Sequence, residues 1–275
     1  MFGWQDCEVK RDVSAHLDIG IAAPTTLEFQ LAVARLPGLE IDESLVFEQD
    51  GRTIQPQEIP GPHGTRIHTF ATGTGNLRVH YTATVVGTAA LEPASDYDIA
   101  VYLRPSRFAE SDKMFGFAAT EFDGNAAPAE LAAEVTAWVR RRLRYVAGSS
   151  DPIDGAVETL LSGAGVCRDF SHLVVALLRA VKVPARLAAV YAPGLYPMDF
   201  HAVAEAYIDG VWRAFDATGL APRSSLVRIA TGRDASDIAF MDNHGGEVSV
   251  NSMWVSAIID GFLPFDNGVD PVSIV

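Results

Sequence analysis

Cysteine is scarce in this sequence, and long apolar runs are missing from it. Cys7 and Cys167 are the only cysteines among 275 residues. Two cysteines so far apart do not make the disulfide scaffold of a small secreted domain. No apolar run approaches the roughly 18 residues that a membrane-spanning helix requires. The N-terminus has no basic segment followed by an apolar one, so we expect no secretory signal and a cytoplasmic protein without a membrane partner.

Positive charge is in short supply as well. The chain has 35 acidic and 21 basic residues, and its formal net charge is −14. This balance disfavours nucleic acids and anionic membrane surfaces as partners, because their phosphates would be repelled. Apolar residues make up 48% of the chain, which excludes a disordered or collagen-like protein. A chain of this length can bury a sizeable core without disulfides or metal ions, in one large domain or two smaller ones.

The order of local patterns divides the chain into two units. Gly and Pro punctuate short β-rich segments in the first hundred residues, at 14–21, 27–34, 65–71 and 76–86. This spacing is typical of an antiparallel sandwich or a barrel-like unit. From Pro128 onward the patterns predict helices and then antiparallel strands, which is an α+β order. We therefore predict an N-terminal β-sandwich-like domain over residues 1–105, and a unit of linker, helices and strands over residues 106–275.

A glycine-rich turn leads into a helix that begins at or just after Cys167. Gly163 and Gly165 end the preceding helix, and the residues from Leu173 to Leu178 are apolar on nearly every side, which predicts a buried central helix. The free N–H groups and partial positive charge at a helix N-terminus favour a thiolate over a thiol. The same groups can stabilise an oxyanion. A cysteine in this place can also be merely a small buried apolar residue.

A tight hairpin brings a histidine and an aspartate onto one face of the second unit. Asp209 and Gly210 form a strong two-residue turn signal. The register set by this turn makes His201 and Asp216 diagonal neighbours, roughly 7–8 Å apart. An aspartate that accepts a hydrogen bond from one ring nitrogen leaves the other free to act as a base. Trp212 falls on the same face, either as a wall of a site or as core packing.

Other interpretations of these residues are open. The turn before Cys167 could hold a phosphate, although the sequence lacks the glycine-lysine pattern of a phosphate-binding loop. Cys167, His201 and Asp216 could bind zinc, although a fourth ligand and the usual ligand spacing are missing. His172 lies on a different side of the predicted helix from Cys167, so we expect a structural role for it.

The blocks that contain these residues resemble a bacterial family, the transglutaminase-like proteins. The segment GVCRDFSHL around Cys167 is similar to the nucleophile motif of that family. The segment HA at His201 and the segment DAT at Asp216 are similar to its histidine and aspartate blocks. The likeness runs from about residue 96 to residue 240, and three blocks in the right order make it specific.

This resemblance implies a papain-like α+β core and a catalytic triad. Cys167 would be the nucleophile, His201 the base and acid, and Asp216 the residue that orients the histidine. The implied reaction is thiol-dependent acyl transfer on an amide of a peptide or protein, through a thioester. Family members carry out hydrolysis or transamidation, and we slightly prefer hydrolysis because water needs no second substrate pocket.

We expect no cofactor and no metal ion. The calcium dependence of the eukaryotic enzymes of this family is not implied here, because the sequence has no calcium-binding EF-hand loop. Two alternatives to the acyl-transfer enzyme stay open. One is a binding or scaffolding protein that keeps the fold but has lost catalytic turnover. The presence of all three residues, Cys167, His201 and Asp216, argues against this alternative. The other is a metal-dependent hydrolase, which elemental analysis would reveal.

Overall fold

A computed structural model describes residues 9–91 and 93–275, so Cys7 lies outside the described residues. Within this part of the chain the strands are Lys10–Ile21 (β1), Thr25–Phe29 (β2), Leu39–Gln49 (β3), Arg52–Ile54 (β4), Gln57–Pro60 (β5), Arg66–Thr72 (β6), Gly75–Gly87 (β7), Arg144–Tyr145 (β8), Ala164–Gly165 (β9), Ala185–Tyr191 (β10), Phe200–Ile208 (β11), Val211–Phe215 (β12), Val227–Gly232 (β13), Met241–His244 (β14) and Val248–Ile259 (β15). The α-helices are Asp96–Val101 (α1), Ser111–Glu121 (α2), Pro128–Arg142 (α3), Ala156–Ser162 (α4), Cys167–Ala180 (α5) and Ala235–Ile238 (α6).

Two antiparallel sheets form the strand-rich region that the sequence predicts at the N-terminus. Their strand orders are β15-β1-β7-β3-β4 and β14-β2-β6-β5. Every second residue of β1 is buried, which is the alternation expected when one face of a sheet packs against a second layer. Rings from both sheets meet between them, where Phe47 of β3 lies 5.1 Å from Phe29 and 5.0 Å from Phe70 between ring centroids.

Strand β3 was not among the predicted strands. Its outward positions are exposed and several are acidic, whereas most of its inward positions are apolar. The acidic residues make the alternating apolar pattern hard to recognise in the sequence. Glu43 occupies an inward position, where the Arg66 guanidinium donates to its carboxylate at 2.6 Å and the Tyr81 hydroxyl donates at 2.8 Å. A paired carboxylate therefore replaces one apolar residue on the buried face of this strand.

The last two strands return to the N-terminal sheets. Strand β15 pairs with β1 along its length, with Ile259 opposite Arg11 and Val248 opposite Ile21. Strand β14 pairs with β2. The division of the chain at residue 105 stays a prediction, but both N-terminal sheets are completed by strands from the far end of the chain.

Helix α5 lies at the centre of the α+β core. It packs against the antiparallel sheet β12-β11-β10-β13 and is surrounded by α2, α3 and α4. All its residues from Leu173 to Leu178 are fully buried, as the apolar pattern predicts. One continuous apolar core contains residues of this helix and of the strand-rich region. No helix in the described part of the chain is long and apolar enough to span a membrane.

A buried ion cluster joins three neighbouring strands of the core sheet. Glu205 of β11 is fully buried and accepts hydrogen bonds from Arg186 of β10 at 2.8 Å and from Arg228 of β13 at 2.6 Å. Burial opposes ionisation of this carboxyl, but the two guanidinium groups outweigh it and lower the pKa of Glu205 to about 2. The cluster is therefore charged at neutral pH, and loss of Glu205 would remove a buried counter-charge from both arginines.

We expect Glu205→Gln to lower the free energy of unfolding at pH 7 by about 3–5 kcal/mol, since it leaves two buried arginines short of a counter-charge. Because folding lowers the pKa of Glu205, its stabilisation is present above the ordinary value of about 4.3 and is lost as the pH falls toward 2. Urea unfolding at pH 7 and pH 3 measures both effects. The matched control is Glu48→Gln, at a surface pair 4.0 Å from Arg78, and should change stability by less than about 0.5 kcal/mol. An effect of Glu205→Gln as small as that of the control would contradict this role.

Candidate active site

Helix α5 begins at Cys167, as predicted, and the residues around it define this start. The Asp169 carboxylate accepts the Val166 backbone N–H at 2.8 Å and so caps the first turn. A Cβ at Gly165 would lie 2.7 Å from the Cβ of Asp169, so no larger residue fits without a shift. The Cys167 side chain is half-buried at the first helical position, where the backbone N–H groups of a helix have no partner within the helix.

The two charged residues of the Cys167 motif hold the neighbouring loop. The Ser150 hydroxyl donates to Asp169 Oδ1 at 2.9 Å. Arg168 Nη2 donates to the Asp151 carbonyl at 2.7 Å and to Asp169 Oδ1 at 3.2 Å. Both charges are thus engaged within the protein, and they fix the loop 150–151 against the start of α5.

The predicted hairpin register is confirmed. Asp209 and Gly210 both have positive φ, at 51° and 82°, as a two-residue turn of this type requires. Strand β11 pairs with β12 in the register that this turn sets. His201 is near the start of β11 and Asp216 comes directly after β12, so the two residues lie side by side. The His201 Nε2–H donates to Asp216 Oδ2 at 2.9 Å, and the two side chains are only 1% and 2% exposed.

Electrostatics favour the ionised form of this buried pair. Burial opposes the charge of Asp216, but the charge of His201 and hydrogen bonds from His201 and Thr218 hold the pKa of Asp216 below its usual range. Burial also opposes protonation of His201. The charge and hydrogen bond of Asp216, with a smaller contribution from the Cys167 side chain, outweigh burial and raise the pKa of His201 to about 10. An imidazolium–carboxylate pair results at neutral pH.

The hydrogen bond to Asp216 also decides which ring nitrogen of His201 is available for chemistry. Nε2 is taken by the carboxylate. Nδ1 is buried and makes no hydrogen bond of ordinary geometry to the carboxylates or the backbone of the described residues around it. The Cys167 side chain is close enough to His201 to raise its pKa, so Nδ1 is the nitrogen left to exchange a proton with the thiol.

Cys167 and His201 open into a pocket of about 250 Å³. Asp199 is a carboxylate among its lining residues, and burial raises the pKa of Asp199. The remaining wall is mainly apolar and includes Leu187, Ile229, Ile238, Phe240 and Met253. Met253 belongs to β15, so the strand-rich region contributes to the wall of this pocket.

Trp212 is not a wall of the pocket, and that part of the sequence interpretation is wrong. Its ring stacks against Arg186, with the guanidinium carbon 4.1 Å from the ring centroid, and meets Tyr102 edge-on. It pairs with Tyr207, near the opposite end of β11 from His201. Since a strand rises about 3.3 Å per residue, sharing a face with His201 does not bring Trp212 near it.

His172 has the structural role that its helix position predicts. It is fully buried, its Nε2 accepts the Ala235 backbone N–H at 3.1 Å, and its ring stacks on Phe108. Burial lowers the pKa of His172 to about 3, so the ring is neutral. Within residues 9–91 and 93–275, no three His, Cys, Asp or Glu side chains are arranged to hold a metal ion.

Comparison with known proteins identifies the family of this chain. The model of the transglutaminase-like superfamily matches residues 117–217, a range that contains Cys167, His201 and Asp216. A candidate cysteine protease from Cytophaga hutchinsonii, known from its crystal structure, is 33% identical with 98% of each chain covered and a TM-score of 0.85. The chain belongs to the transglutaminase-like superfamily. Its papain-like α+β core and its strand-rich N-terminal region are therefore as the sequence predicts.

A second relative of this transglutaminase-like chain is an uncharacterized protein of Mycobacterium leprae. The two are 23% identical over 148 residues, which are 50% of this chain and 52% of the relative. The chain thus matches about half the length of this curated relative.

The ionised pair should make stability depend on pH in the alkaline range. Folding raises the pKa of His201 from about 6.5 to about 10, so the protonated ring stabilises the fold fully below pH 6.5 and loses this effect as the pH rises through 10. We expect the free energy of unfolding of the unmodified protein to fall between pH 7 and pH 10 relative to His201→Gln. Urea unfolding measures the slope, and His244→Gln, at an exposed histidine, is the matched control. Parallel curves for the unmodified protein and His201→Gln would argue against the ion pair.

Proposed function

We propose that the protein is a cysteine hydrolase or acyltransferase that acts on amides of peptides or proteins. The observation that carries this proposal is the position of Cys167 at a helix N-terminus, in one pocket with the buried, ionised pair of His201 and Asp216. A thiol, a base and a group that orients the base are the parts that nucleophilic catalysis at a carbonyl requires. A cytoplasmic location also remains a prediction.

The first half of the proposed reaction forms a thioester. The Cys167 thiolate attacks the amide carbon, and the electron pair of the C=O bond moves to the oxygen. Backbone N–H groups at the start of α5 stabilise this oxyanion. When the intermediate collapses, the C–N bond breaks and His201 Nδ1 gives its proton to the leaving amine. Asp216 stabilises the imidazolium until that transfer.

The second half releases the acyl group from Cys167. A water molecule attacks the thioester carbon, neutral His201 takes its proton, and the thiolate leaves with the electron pair of the C–S bond. A primary amine in place of water gives a transamidated product by the same steps. We slightly prefer hydrolysis, because water needs no second substrate pocket.

The walls of the pocket suggest which side chains a substrate presents beside the reacting amide. Apart from Asp199, Cys167, Arg168, His201 and Gln30, the lining is apolar. Such a wall favours uncharged, apolar groups, since burying a charge without a partner is costly. Peptides with leucine or phenylalanine near the reacting bond are therefore the first substrates to test, alongside glutamine peptides.

The direct test incubates the protein with such peptides and a primary amine. Mass spectrometry distinguishes release of a carboxylic acid, which indicates hydrolysis, from incorporation of the amine. Cys167→Ala should abolish both products, while Asp216→Asn should lower turnover roughly 100-fold or more and leave the protein folded, with a lower melting temperature because the buried His201 loses its counter-charge. Unchanged turnover of Asp216→Asn would reduce the proposed triad to a Cys167–His201 pair. No product from any peptide, with the thiol unreactive, would favour the scaffolding alternative.

A second test measures the reactivity of the Cys167 thiol and needs no substrate. We expect iodoacetamide to alkylate Cys167 far faster than Cys7 below pH 7, because thiolate is the reacting species and His201 carries a proton beside Cys167. His201→Ala should slow alkylation of Cys167 and leave Cys7 unaffected. Site-resolved mass spectrometry from pH 5 to pH 9 measures both rates, with denatured protein as the control for access. Equal rates at the two cysteines, insensitive to His201→Ala, would count against an activated nucleophile.

A further inference from the structure

A second pocket lies next to the pocket of Cys167, and the proposed reaction does not use it. Its volume is about 480 Å³. Residues of α1, of α6 and of three strands of the sheet β14-β2-β6-β5 line it. Gln30 and Ala239 line both pockets. A peptide chain that enters one pocket can therefore continue into the other across Gln30.

Three carboxylates give this second pocket a negative charge. Glu28 of β2, Asp98 of α1 and Asp242 of β14 line it. Among the described residues, no lysine or arginine lies within ion-pair distance of any of the three. Burial opposes the charge of Asp98, but hydrogen bonds from Ser95 outweigh it and hold the pKa of Asp98 below its usual range. Asp98 is therefore charged at neutral pH.

Two of these carboxylates are placed so that they repel each other. Asp242 and Glu28 are directly opposite in the antiparallel pair of β14 and β2. Like charges in opposed positions on neighbouring strands lower the stability of a sheet. The basic group within ion-pair distance of Glu28 is His244, an exposed histidine at 3.3 Å. A cation held between Glu28 and Asp242 would replace this repulsion by attraction.

The basic side chains that line the pocket do not cancel its charge. The Arg233 guanidinium donates to both carboxylate oxygens of Asp237 at 2.9 Å, so this pair contributes no net charge. His63 lies 3.3 Å from Asp98, and even a protonated His63 leaves the three carboxylates in excess. No three His, Cys, Asp or Glu side chains of the described residues are arranged to hold a metal ion. The pocket therefore suits an organic cation, such as a guanidinium or ammonium group, better than a metal ion.

Gln30, between the two pockets, has a hydrogen-bond acceptor that lacks a donor. The residue is only 9% exposed. Its Nε2 donates to the carbonyls of Asp237 and Ala239 at 3.1 and 3.2 Å, so a turned amide would set oxygen against oxygen. Oε1 is buried and accepts no hydrogen bond from the described residues. A buried acceptor without a donor costs free energy, and an N–H group of a bound peptide would supply the donor.

We propose that this acidic pocket binds an arginine or lysine side chain of the peptide whose amide reacts at Cys167. The inference rests on the proposed function, because it concerns the chain that Cys167 attacks. The extended peptide crosses Gln30, donates a backbone N–H to Oε1 and places its cationic group among Glu28, Asp98 and Asp242. The substrate class is thus a peptide with an apolar residue beside the reacting bond and a basic residue a few positions away.

The test uses peptides that alkylate the Cys167 thiol, so it needs no turnover. Each peptide contains leucine and arginine joined by glycine linkers of increasing length, with an iodoacetyl group at its N-terminus or a chloromethyl ketone at its C-terminus. The thiolate displaces the halide and forms a C–S bond. Matched peptides contain citrulline, which has nearly the shape of arginine but no charge. Mass spectrometry measures the rate at Cys167, and the rate with iodoacetamide is the reference for each variant.

At the best linker length, we expect the arginine peptide to react about 3- to 10-fold faster than the citrulline peptide. Glu28→Gln combined with Asp242→Asn should lower this preference below about 2-fold, and added salt should weaken it in the unmodified protein. The matched control combines Glu40→Gln with Asp42→Asn, which removes two exposed carboxylates of β3 outside both pockets and should keep the preference. Thermal unfolding verifies that both double variants fold.

Three outcomes would overturn the inference. Equal rates for arginine and citrulline peptides at every length and in both directions would mean that no cation is bound. A preference that survives Glu28→Gln with Asp242→Asn would place the cation elsewhere. An equal loss in the control variant would reveal a general effect of net charge. Failure of the proposed function is recognised separately: the arginine preference would then appear as expected, while no peptide amide is cleaved or exchanged.

Discussion

Burial of α5 against the core sheet is the constraint on which the site depends. The body of the helix is surrounded by apolar side chains, while its first residue, Cys167, must remain accessible from the pocket. The Ser171 hydroxyl donates to the Ala202 carbonyl at 2.9 Å, one helical turn after Cys167 and next to His201. The thiol and the imidazole are therefore brought together by packing of a helix on a strand, and not by freely rotating side chains.

Strand β11 carries two buried charged groups, and each has its counter-charge. His201 is paired with Asp216 near one end, and Glu205 is paired with two arginines farther along. Removing both partners of a buried pair can cost little stability, but removing one partner leaves a buried charge. Strand β11 is thus held in place by ion pairs, and loss of one partner from either pair would strongly lower the free energy of unfolding.

The strand-rich region is part of the site and not a separate appendage. Met253 of β15 and Gln30, just after β2, both line the pocket of Cys167. The Tyr191 hydroxyl of the core sheet donates to the Leu31 carbonyl at 2.8 Å, and the Tyr191 ring stacks on Tyr81 of β7. Because the apolar core is continuous across this junction, a change in the N-terminal sheets can alter the pocket.

Local rules in the sequence were enough to predict the start of α5, the hairpin and the pairing of His201 with Asp216. Glycine before Cys167 and the Asp209-Gly210 turn act over a few residues, so their consequences for register can be derived without the rest of the chain. The return of β15 to β1, the distance between Trp212 and the pocket, and the availability of Nδ1 of His201 depended on tertiary structure. These features depend on distances between segments that are far apart in the sequence, or between residues on one face of a strand. Only the packing of the folded chain sets those distances.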